Sequence, residues 1–267
     1  MSKIYFFKSE KEKSEVRSAR LSAEYKYSAS KVDDLRDADY MVVLGGDGTM
    51  LEAERQRAIV QDTNAKIVGL AYGTANNLMN KVGNLWNIIA NAQTVVLHPF
   101  IVECKLNNNI TRHQIAFNET VVHRSSPFNQ TCHLDIKIKD KRKDISGSIN
   151  GDGFIVASRQ GYAAYYRHAG GKFLDILSDN IGTQPICDMD AKKLSCVVPN
   201  SSKIVITVRD SIKRPVIINA DNNMAIPNVQ QCKVKMKRDV DVPVLLCKNT
   251  PIMRLNQLMR AKEHSRF

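Results

Sequence analysis

Apolar and polar residues follow two different patterns along the chain, one before and one after residue 99. In the first part, short apolar runs alternate with longer charged or amphipathic stretches. Such runs are typical of buried strands in a parallel sheet, and the stretches between them are compatible with helices. The pattern predicts strands at 4–7, 40–44 and 66–71 and helices at 10–24, 51–59, 76–82 and 85–92. We therefore expect a doubly wound, Rossmann-like α/β domain over residues 1–98.

After Pro99 the pattern changes to short strands in which apolar and polar residues alternate. Segment 134–139 is the clearest example, since alternation is typical of a strand with one buried face. Further strands are predicted at 153–157, 203–208, 215–219, 232–236 and 242–246. Residues 99–248 are therefore expected to form an all-β, sandwich-like domain. The tail, 249–267, is compatible with a short amphipathic helix that packs back on the protein.

The composition is that of a globular protein, with 43% hydrophobic residues among 267. No apolar run approaches the roughly 18 residues of a membrane-spanning helix, and the first 15 residues lack the layout of a secretory signal. The six cysteines are scattered without a C-x-x-C pair, which argues against a zinc site and a disulfide framework. We therefore expect a cytoplasmic protein that does not enter a membrane.

The net charge of +12 suggests a polyanionic partner, either a nucleic acid or a small molecule such as a nucleotide. The basic residues are dispersed, apart from a short cluster at 137–143 and a basic C-terminal stretch. Because a hairpin turn is predicted at this cluster, solvated loop charge explains it more simply than nucleic-acid binding. Nucleotides are the expected partners, and nucleic acid is kept as a minor alternative.

The most informative polar segment is Gly45-Gly46-Asp47-Gly48-Thr49, which directly follows a predicted strand. Glycine takes positive φ and has no Cβ, so the N–H groups of such a turn can approach a phosphate closely. Asp47 would then stand at the carboxyl end of a parallel strand, where open α/β sheets bind ligands. The alternative is an ordinary strand-ending turn, since Asp-Gly is common in turns.

Two polar segments of the second domain offer acceptors for a nucleoside. Asn118-Glu119 can read a ribose diol or an adenine amino group, because a carboxylate and an amide carbonyl both accept hydrogen bonds. Its alternative is a polar pair at a strand end. Asp221 follows the strand predicted at 215–219 and is either another acceptor or part of a hairpin turn.

A second acidic glycine turn, Gly151-Asp152-Gly153, precedes the strand predicted at 153–157. It leads into a segment of small and hydroxyl-bearing residues at 158–165. A turn of this kind that enters a helix can hold a nucleotide through its backbone N–H groups.

Taken in this order, the segments resemble the NAD kinase family over most of the chain, from about residue 38 to residue 225. The family signature is GGDGT, an Asn-Glu pair, a Gly-Asp-Gly turn, and Thr-Pro-Thr-Gly-Ser-Thr-Ala-Tyr followed by Ala-Gly-Gly. The corresponding residues here are 45–49, 118–119, 151–153, 158–165 and 169–171. The resemblance implies an N-terminal α/β domain, a C-terminal β-sandwich, and phosphate transfer from ATP to the 2′-hydroxyl of the adenosine ribose of NAD. It also implies use of Mg²⁺ or another divalent cation with ATP, and a homodimer or homotetramer.

The resemblance assigns a role to individual residues. Asp47 is expected to accept or orient the 2′-hydroxyl proton, with the donor phosphates against Gly45, Gly46, Gly48 and Thr49. Asn118 and Glu119 are expected to hold the adenine and ribose of NAD, and Asp152 its other nucleoside half. The full set of residues expected to bind NAD is Asn118, Glu119, Asp152, Ala163, Tyr165, His168 and Asp221. No protein ligand of a metal is assigned, since Mg²⁺ usually keeps water and substrate oxygens as ligands.

Segment 158–165 departs from the family pattern. Gly161, Ala164 and Tyr165 match, whereas most of the hydroxyl groups and the proline are lost. Tyr162 puts a bulky ring where the family has a small residue, which is expected to narrow the adenine pocket. His168 replaces a serine that often contacts NAD. These differences favour an alternative, a non-catalytic or altered-specificity NAD(P)-binding protein.

The segment at 71–78 also departs from the pattern. Bacterial NAD kinases usually have Leu-Gly-Phe in place of Ala75-Asn76-Asn77. Residues 73–76 instead resemble the Gly-Thr-x-Asn of diacylglycerol and sphingosine kinases, which share the GGDGT turn. A lipid or other small-molecule kinase of the same superfamily is therefore a second alternative.

Overall fold

The computed structural model describes residues 2–60, 62–126, 130–188, 194–221 and 223–264. The chain divides into two units, one formed by residues 1–98 together with 239–267 and the other by residues 99–238. In sequence, the second unit is thus an insertion into the first. Within the described ranges, no helix is both long and apolar enough to cross a bilayer.

Strands and helices are numbered in chain order. Those before residue 99 are β1 (Ile4–Phe6), α1 (Ser14–Lys26), β2 (Tyr40–Gly45), α2 (Asp47–Ile59), β3 (Lys66–Ala71), α3 (Leu85–Asn91) and β4 (Gln93–Leu97). Those of the second unit are β5 (Phe100–Leu106), β6 (Thr111–Ala116), β7 (Glu119–Arg124), β8 (Cys132–Lys139), β9 (Ile145–Gly151), β10 (Gly153–Ala157), α4 (Tyr165–His168), β11 (Asn180–Ile186), β12 (Cys196–Pro199), β13 (Lys203–Arg209), β14 (Val216–Ala220), β15 (Ile226–Pro227) and β16 (Val229–Met236). The chain then returns to the first unit with β17 (Val242–Leu246) and α5 (Pro251–His264).

The sheet of the first unit has the strand order β1-β2-β3-β17-β4. Val42 and Leu44 of β2 pack on one face with residues of α1 and α3. Met41 and Val43 alternate with them and are equally buried, and α2 contacts the same strand. Because both faces are covered, β2 needs a continuous apolar run rather than an alternating one.

The prediction of a parallel sheet needs two corrections. The strands β1, β2, β3 and β17 run parallel, but β4 pairs antiparallel with β17. The strand at 242–246, expected in the second domain, lies between β3 and β4 of the first unit. Four of its five residues are buried, and such an apolar run fits the centre of a sheet without indicating which sheet it joins.

Residues 76–82, all within the described ranges, form turns instead of the predicted helix. The N–H groups of Asn77 and Leu78 donate to the carboxylate of Asp47, so they do not serve helical hydrogen bonds. Asn80 then forms a parallel bridge with Leu70 of β3. A distant acceptor therefore overrides local helix propensity here.

The other predicted helices are present, with different boundaries. The helix expected at 10–24 begins at Ser14, and the one expected at 51–59 begins at Asp47. The tail forms α5, which buries Ile252 and Met253 of its first turn, whereas Leu258 is exposed.

The second unit is a β-sandwich, as the alternating pattern predicts. Its two sheets have the orders β12-β11-β10-β7-β14-β15 and β6-β5-β16-β13-β8-β9. Alternate residues of both sheets share one core, for example Ile136 and Ile138 of β8 with Val122 of β7. The pairing of β7 with β10 is antiparallel, with Glu119 opposite Ala157 and His123 opposite Gly153. This pair positions the polar segments described below.

Candidate active site

The glycine turn joins β2 to α2 without an intervening loop. A Cβ added to Gly45 would lie 2.5 Å from Thr49 Oγ1, and one added to Gly46 would lie 2.6 Å from the Ala75 carbonyl oxygen. A Cβ on Gly48 would meet no atom within 4 Å. Gly45 and Gly46 therefore permit close packing within the protein, and Gly48 is the glycine of this turn that borders open space.

The carboxylate of Asp47, at the first position of α2, is held by the loop after β3. Its Oδ2 accepts hydrogen bonds from the Asn77 backbone N–H at 3.0 Å and from the Asn77 side-chain amide at 2.8 Å. Its Oδ1 accepts one from the Leu78 N–H at 3.0 Å. Within the described residues Oδ1 thus has one donor, and it retains capacity to accept a hydrogen bond from a substrate hydroxyl.

A cavity of about 370 Å³ opens beside this turn, and all the residues that line it belong to the first unit. Its walls are formed by the glycine turn, by residues 72–75 and by the segment between β1 and α1. Lys11 and Lys13 line it from the last segment. Two lysine side chains and the N-terminal end of α2 make this cavity suitable for phosphate groups.

Polar contacts fix the segment that carries these two lysines. Ser9 donates its hydroxyl hydrogen to Glu52 of α2 and accepts the Lys11 N–H at 3.2 Å. Glu12, another residue of the cavity wall, pairs with Arg20 at 2.8 Å between Oε1 and Nε. Arg20 compensates the charge of Glu12, whereas Glu15, a further acid of the wall, offsets part of the lysine charge.

Asp221 holds the backbone where Asn118 and Glu119 lead into β7. Its carboxylate accepts hydrogen bonds from the N–H groups of Phe117, Asn118 and Glu119 at 2.7, 2.8 and 3.1 Å. Asp221 has a φ of 50°, a conformation that Asp adopts more readily than most residues. In this structure Asp221 supports the strand end, rather than presenting its whole carboxylate to a ligand.

The Glu119 side chain is largely buried. Burial, and secondarily the charge of Asp221, raise the pKa of Glu119 to about 8. At neutral pH its carboxyl is therefore mostly protonated and can donate a hydrogen bond. Its predicted role as an acceptor for NAD stays a prediction, and in the ligand-free protein its carboxyl can also donate.

The altered segment at 158–165 is attached to the same strand end. Ser158 donates its hydroxyl hydrogen to the Phe117 carbonyl and its N–H to the Asn118 carbonyl, the latter at 2.8 Å. Gln160 donates from Nε2 to Asn118 Oδ1 at 2.9 Å. Gly161 packs so tightly that a Cβ there would lie 2.2 Å from the Asn118 carbonyl oxygen. The substituted residues thus form specific contacts with Asn118.

Asp152 lies near the opposite end of the β7–β10 pair. Its Oδ1 pairs with Arg124 Nε at 2.8 Å. Beside it, the rings of His123 and Tyr165 stack with centroids 5.8 Å apart and an interplanar angle of 24°. Burial lowers the pKa of His123, which favours its neutral form. At about 3.3 Å per strand residue, the four steps along β7 from Glu119 to His123, which faces Gly153, span roughly 13 Å.

The remaining residues of this region lie on the 3₁₀ turn Gln160–Ala163 and on α4. Ala163 is half-buried, and His168 is exposed with its Nδ1 2.9 Å from the Ala164 carbonyl oxygen. The buried ring of Tyr162 packs edge-on against Phe173 at a centroid distance of 5.3 Å. The bulk of Tyr162 is therefore accommodated in an aromatic cluster.

The predicted site residues form three groups in the structure. Asp47 lies with the glycine turn and its cavity, Asn118 and Glu119 lie with Asp221, and Asp152 lies with Tyr165. Sequence reasoning missed the partners of these groups, which are Asn77, Lys11, Lys13, Gln160, Arg124 and His123. Only Asn77 carried a signal, since it is one of the departures from the family pattern; the others depend on strand register or loop packing.

Comparison with known proteins assigns the chain to a family. The family model described as ATP-NAD kinase N-terminal domain matches residues 1–93, and the one described as ATP-NAD kinase C-terminal domain matches residues 117–239. The NAD kinase of Rickettsia bellii is 27% identical over 220 residues, which are 81% of this chain and 83% of that protein. The NAD kinase of Brucella melitensis is 29% identical over 216 residues, 80% of this chain and 81% of that protein.

Two solved structures have the same fold. Yeast NADH kinase complexed with NADH gives a TM-score of 0.73 at 20% identity, covering 97% of this chain and 87% of that one. The NAD kinase from Archaeoglobus fulgidus in complex with ATP gives a TM-score of 0.66 at 19% identity, covering 96% of both chains. At these identities the likeness concerns the fold. Because the two family models together match most of the chain, the protein belongs to the ATP-NAD kinase family.

Proposed function

We propose that the protein is an NAD kinase, which transfers the γ-phosphoryl group of ATP to the 2′-hydroxyl of the adenosine ribose of NAD. In this reaction the 2′-oxygen forms a bond to the γ-phosphorus, the bond from that phosphorus to ADP breaks, and the hydroxyl proton is released. The observation that best supports the proposal is the preorganised Asp47 carboxylate beside a lysine-lined cavity.

Asp47 is the residue proposed to accept or orient the 2′-hydroxyl proton. Its three internal hydrogen bonds fix the carboxylate before substrate binds, and such preorganisation is a main source of catalysis in phosphoryl transfer. Oδ1 is the oxygen proposed to contact the hydroxyl, because its acceptor capacity is less used than that of Oδ2.

The cavity beside the glycine turn is proposed to take the donor phosphates. Gly48 and Thr49 would supply backbone N–H groups at the start of α2, and Lys11 and Lys13 would neutralise phosphate charge. The described residues include no group of three or more His, Cys, Asp or Glu that could hold a metal ion. A divalent cation would be held mainly by the ATP phosphates and water, and it would neutralise phosphate charge.

NAD is proposed to bind in the second unit. Asn118 and Glu119 would hold the adenine and ribose, and Asp152 with the Tyr165 ring would hold the other nucleoside half. The roughly 13 Å along β7 from Glu119 to His123, estimated from the strand rise, suits a dinucleotide. Ala163 and His168 would contribute walls, with Asp221 as a backbone support. We further propose that the protein is cytoplasmic and forms a homodimer or homotetramer. Light scattering would measure the oligomeric state.

The direct test measures NADP formed from NAD and ATP, with NADH as a second acceptor and polyphosphate as a second donor. Wild-type protein is expected to form NADP, and Asp47→Asn to reduce kcat by at least a hundredfold, the usual range for a lost proton acceptor. Lys66→Gln is the matched control, because Lys66 lies at the exposed start of β3. Well-folded protein that binds NAD without turnover would instead identify a non-catalytic member of the family.

A further inference from the structure

Gln160 occupies a position where the family pattern has threonine, and it is almost completely buried, with 2% of its surface exposed. It lies on the 3₁₀ turn behind the Asn118 strand end. Its Nε2 donates to Asn118 Oδ1 at 2.9 Å. A buried glutamine amide is costly unless it is bonded, and the bond from Nε2 to Asn118 offsets the part of this cost that belongs to Nε2.

The rest of Asn118 is also fixed. Its N–H donates to Asp221 Oδ1 at 2.8 Å, and its carbonyl accepts the Ser158 N–H at 2.8 Å. Gly161 packs directly against the same carbonyl. Only the side-chain amide of Asn118 could still rotate. The hydrogen bond from Gln160 fixes its orientation, with the Asn118 side-chain carbonyl turned toward Gln160.

The consequence concerns what Asn118 offers to a ligand. An amide presents an acceptor at its oxygen and two donors at its nitrogen. Asn118 Oδ1 is engaged by Gln160, whereas Asn118 Nδ2 forms no hydrogen bond within the part of the chain that the structure describes. The available end is therefore a donor, which suits the unprotonated ring nitrogens of adenine, such as N3 and N7.

We propose that Gln160 is a positioning residue for substrate recognition: it holds the Asn118 amide so that an N–H group donates to a ring nitrogen of the adenine of NAD. This inference rests on the proposed function, because it takes NAD as the ligand of Asn118. It also gives the altered segment at 158–165 a purpose, since a glutamine in place of threonine fixes the polarity of the neighbouring amide.

The first experiment compares the steady-state kinetics of Gln160→Met with those of wild type. Loss of one hydrogen bond of ordinary strength is expected to raise KM for NAD about tenfold, with kcat and KM for ATP within about twofold. Gln184→Met is the matched control, because Gln184 is also a buried glutamine, bonded instead to Ser195 and Pro185. Its KM for NAD should stay at the wild-type value.

The second experiment separates positioning from packing. NAD analogues in which N3 or N7 of the adenine is replaced by C–H should lose about tenfold in kcat/KM for wild type at one of the two positions. Gln160→Met should reduce that discrimination to about twofold. In the Asn118→Ala background, Gln160→Met should add no further loss, since both changes remove the same contact.

The inference is overturned if Gln160→Met weakens NAD and both analogues equally, or if its effect adds fully to that of Asn118→Ala. If Gln160→Met does not fold, Gln160→Glu keeps nearly the same shape but, when ionised, offers Asn118 an acceptor instead of a donor, and it should likewise remove the discrimination. Wild-type protein that binds NAD without turnover would contradict the proposed function alone, and the comparisons would then use dissociation constants. Absence of NAD binding by wild type would overturn both.

Discussion

Glu119 is a residue whose chemistry depends on its surroundings rather than on its type. It lies at a strand end beside Asp221, and burial in this position raises its pKa to about 8. The unfolded chain would lose the Glu119 proton near pH 4.5, its ordinary value, whereas the native protein keeps it. Between these two values the native state binds more protons than the unfolded state, so the contribution of Glu119 to stability falls as pH rises.

We predict that Glu119→Gln stabilises the ligand-free protein at alkaline pH. At pH 9 wild type must bury a charged carboxylate, whereas the variant keeps a neutral side chain, which should raise the free energy of unfolding by roughly 1–3 kcal/mol. At pH 4.5 the two proteins should have similar stability. Urea unfolding at both pH values is the measurement.

Glu103→Gln is the control, because the pKa of Glu103 is shifted in the opposite direction from that of Glu119. Glu103 bonds to Lys233 at 2.6 Å, and this contact lowers its pKa. The stability that Glu103 provides is therefore present above its ordinary pKa and lost in acid, so its replacement should not stabilise at pH 9. A Glu119→Gln variant no more stable than wild type at pH 9 would refute the prediction.

At this scale the sequence predicts residue types at the site but not their states. Asp47 and Asn118 are predicted site residues because of the motif to which each belongs. The proton on Glu119 depends on its burial and, secondarily, on Asp221, which lies about 100 positions away in sequence. The orientation of the Asn118 amide depends on Gln160, about 40 positions away. No local pattern carries that information.

The turns at 76–82 connect three parts of the first unit. Their first half holds Asp47, and Asn80, which follows, is wholly buried and donates from its side-chain amide to the Gly69 carbonyl at 3.1 Å and to the Leu245 carbonyl at 2.9 Å. Asn80 Oδ1 accepts the Cys247 N–H at 2.8 Å. One side chain thus links β3 to β17 next to the loop that positions the proposed catalytic carboxylate of Asp47.

We predict that Asn80→Leu lowers the free energy of unfolding by about 2–4 kcal/mol. The substitution leaves the Leu245 carbonyl and the Cys247 N–H without their partner, and a buried unsatisfied group costs about 1–3 kcal/mol. Chemical denaturation with urea measures the change. Asn91→Ala, on the exposed end of α3, should stay within about 0.5 kcal/mol of wild type. An equal change in the free energy of unfolding for both variants would contradict the proposed role of Asn80 in linking β3 to β17.

At the scale of elements, the sequence predicts what local pattern determines. Strands 66–71 and 153–157 were predicted with their observed boundaries, because each is a short run of apolar residues between polar turns. The helix at 76–82 was wrong, because its N–H groups bond to Asp47. The sheet membership of β17 was wrong as well, since its partners lie more than 100 residues earlier.

The whole molecule is organised by the insertion of one unit into the other. The chain leaves the first unit after His98 and returns at Asp239. The two crossing points are close, because His98 Nδ1 lies 3.1 Å from the Val240 carbonyl oxygen and the Lys237 N–H donates to the Pro99 carbonyl at 2.7 Å. Each unit therefore has its own compact core and neighbouring chain ends.

We predict that residues 99–238 fold alone and that residues 1–98 do not. The isolated N-terminal segment lacks β17, so β3 and β4 would have no strand between them. Joining residue 98 to residue 239 through a short glycine-serine linker should restore a cooperative thermal transition, measured by circular dichroism. Cooperative melting of residues 1–98 without this return segment would contradict the prediction.

The insertion also sets an order of events during synthesis. The ribosome delivers the entire sandwich before β17, whose Val244 pairs with Ile67 across a long stretch of chain. Contacts between residues far apart in sequence form slowly. The sheet of the first unit therefore stays incomplete between β3 and β4, while the second unit can already fold. Because Asn80 bonds to Leu245 and Cys247, the loop that holds Asp47 is completed only after β17 has emerged. Nascent chains stalled inside the sandwich should therefore lack kinase activity, and the exposed edges of β3 and β4 would make them substrates for chaperones.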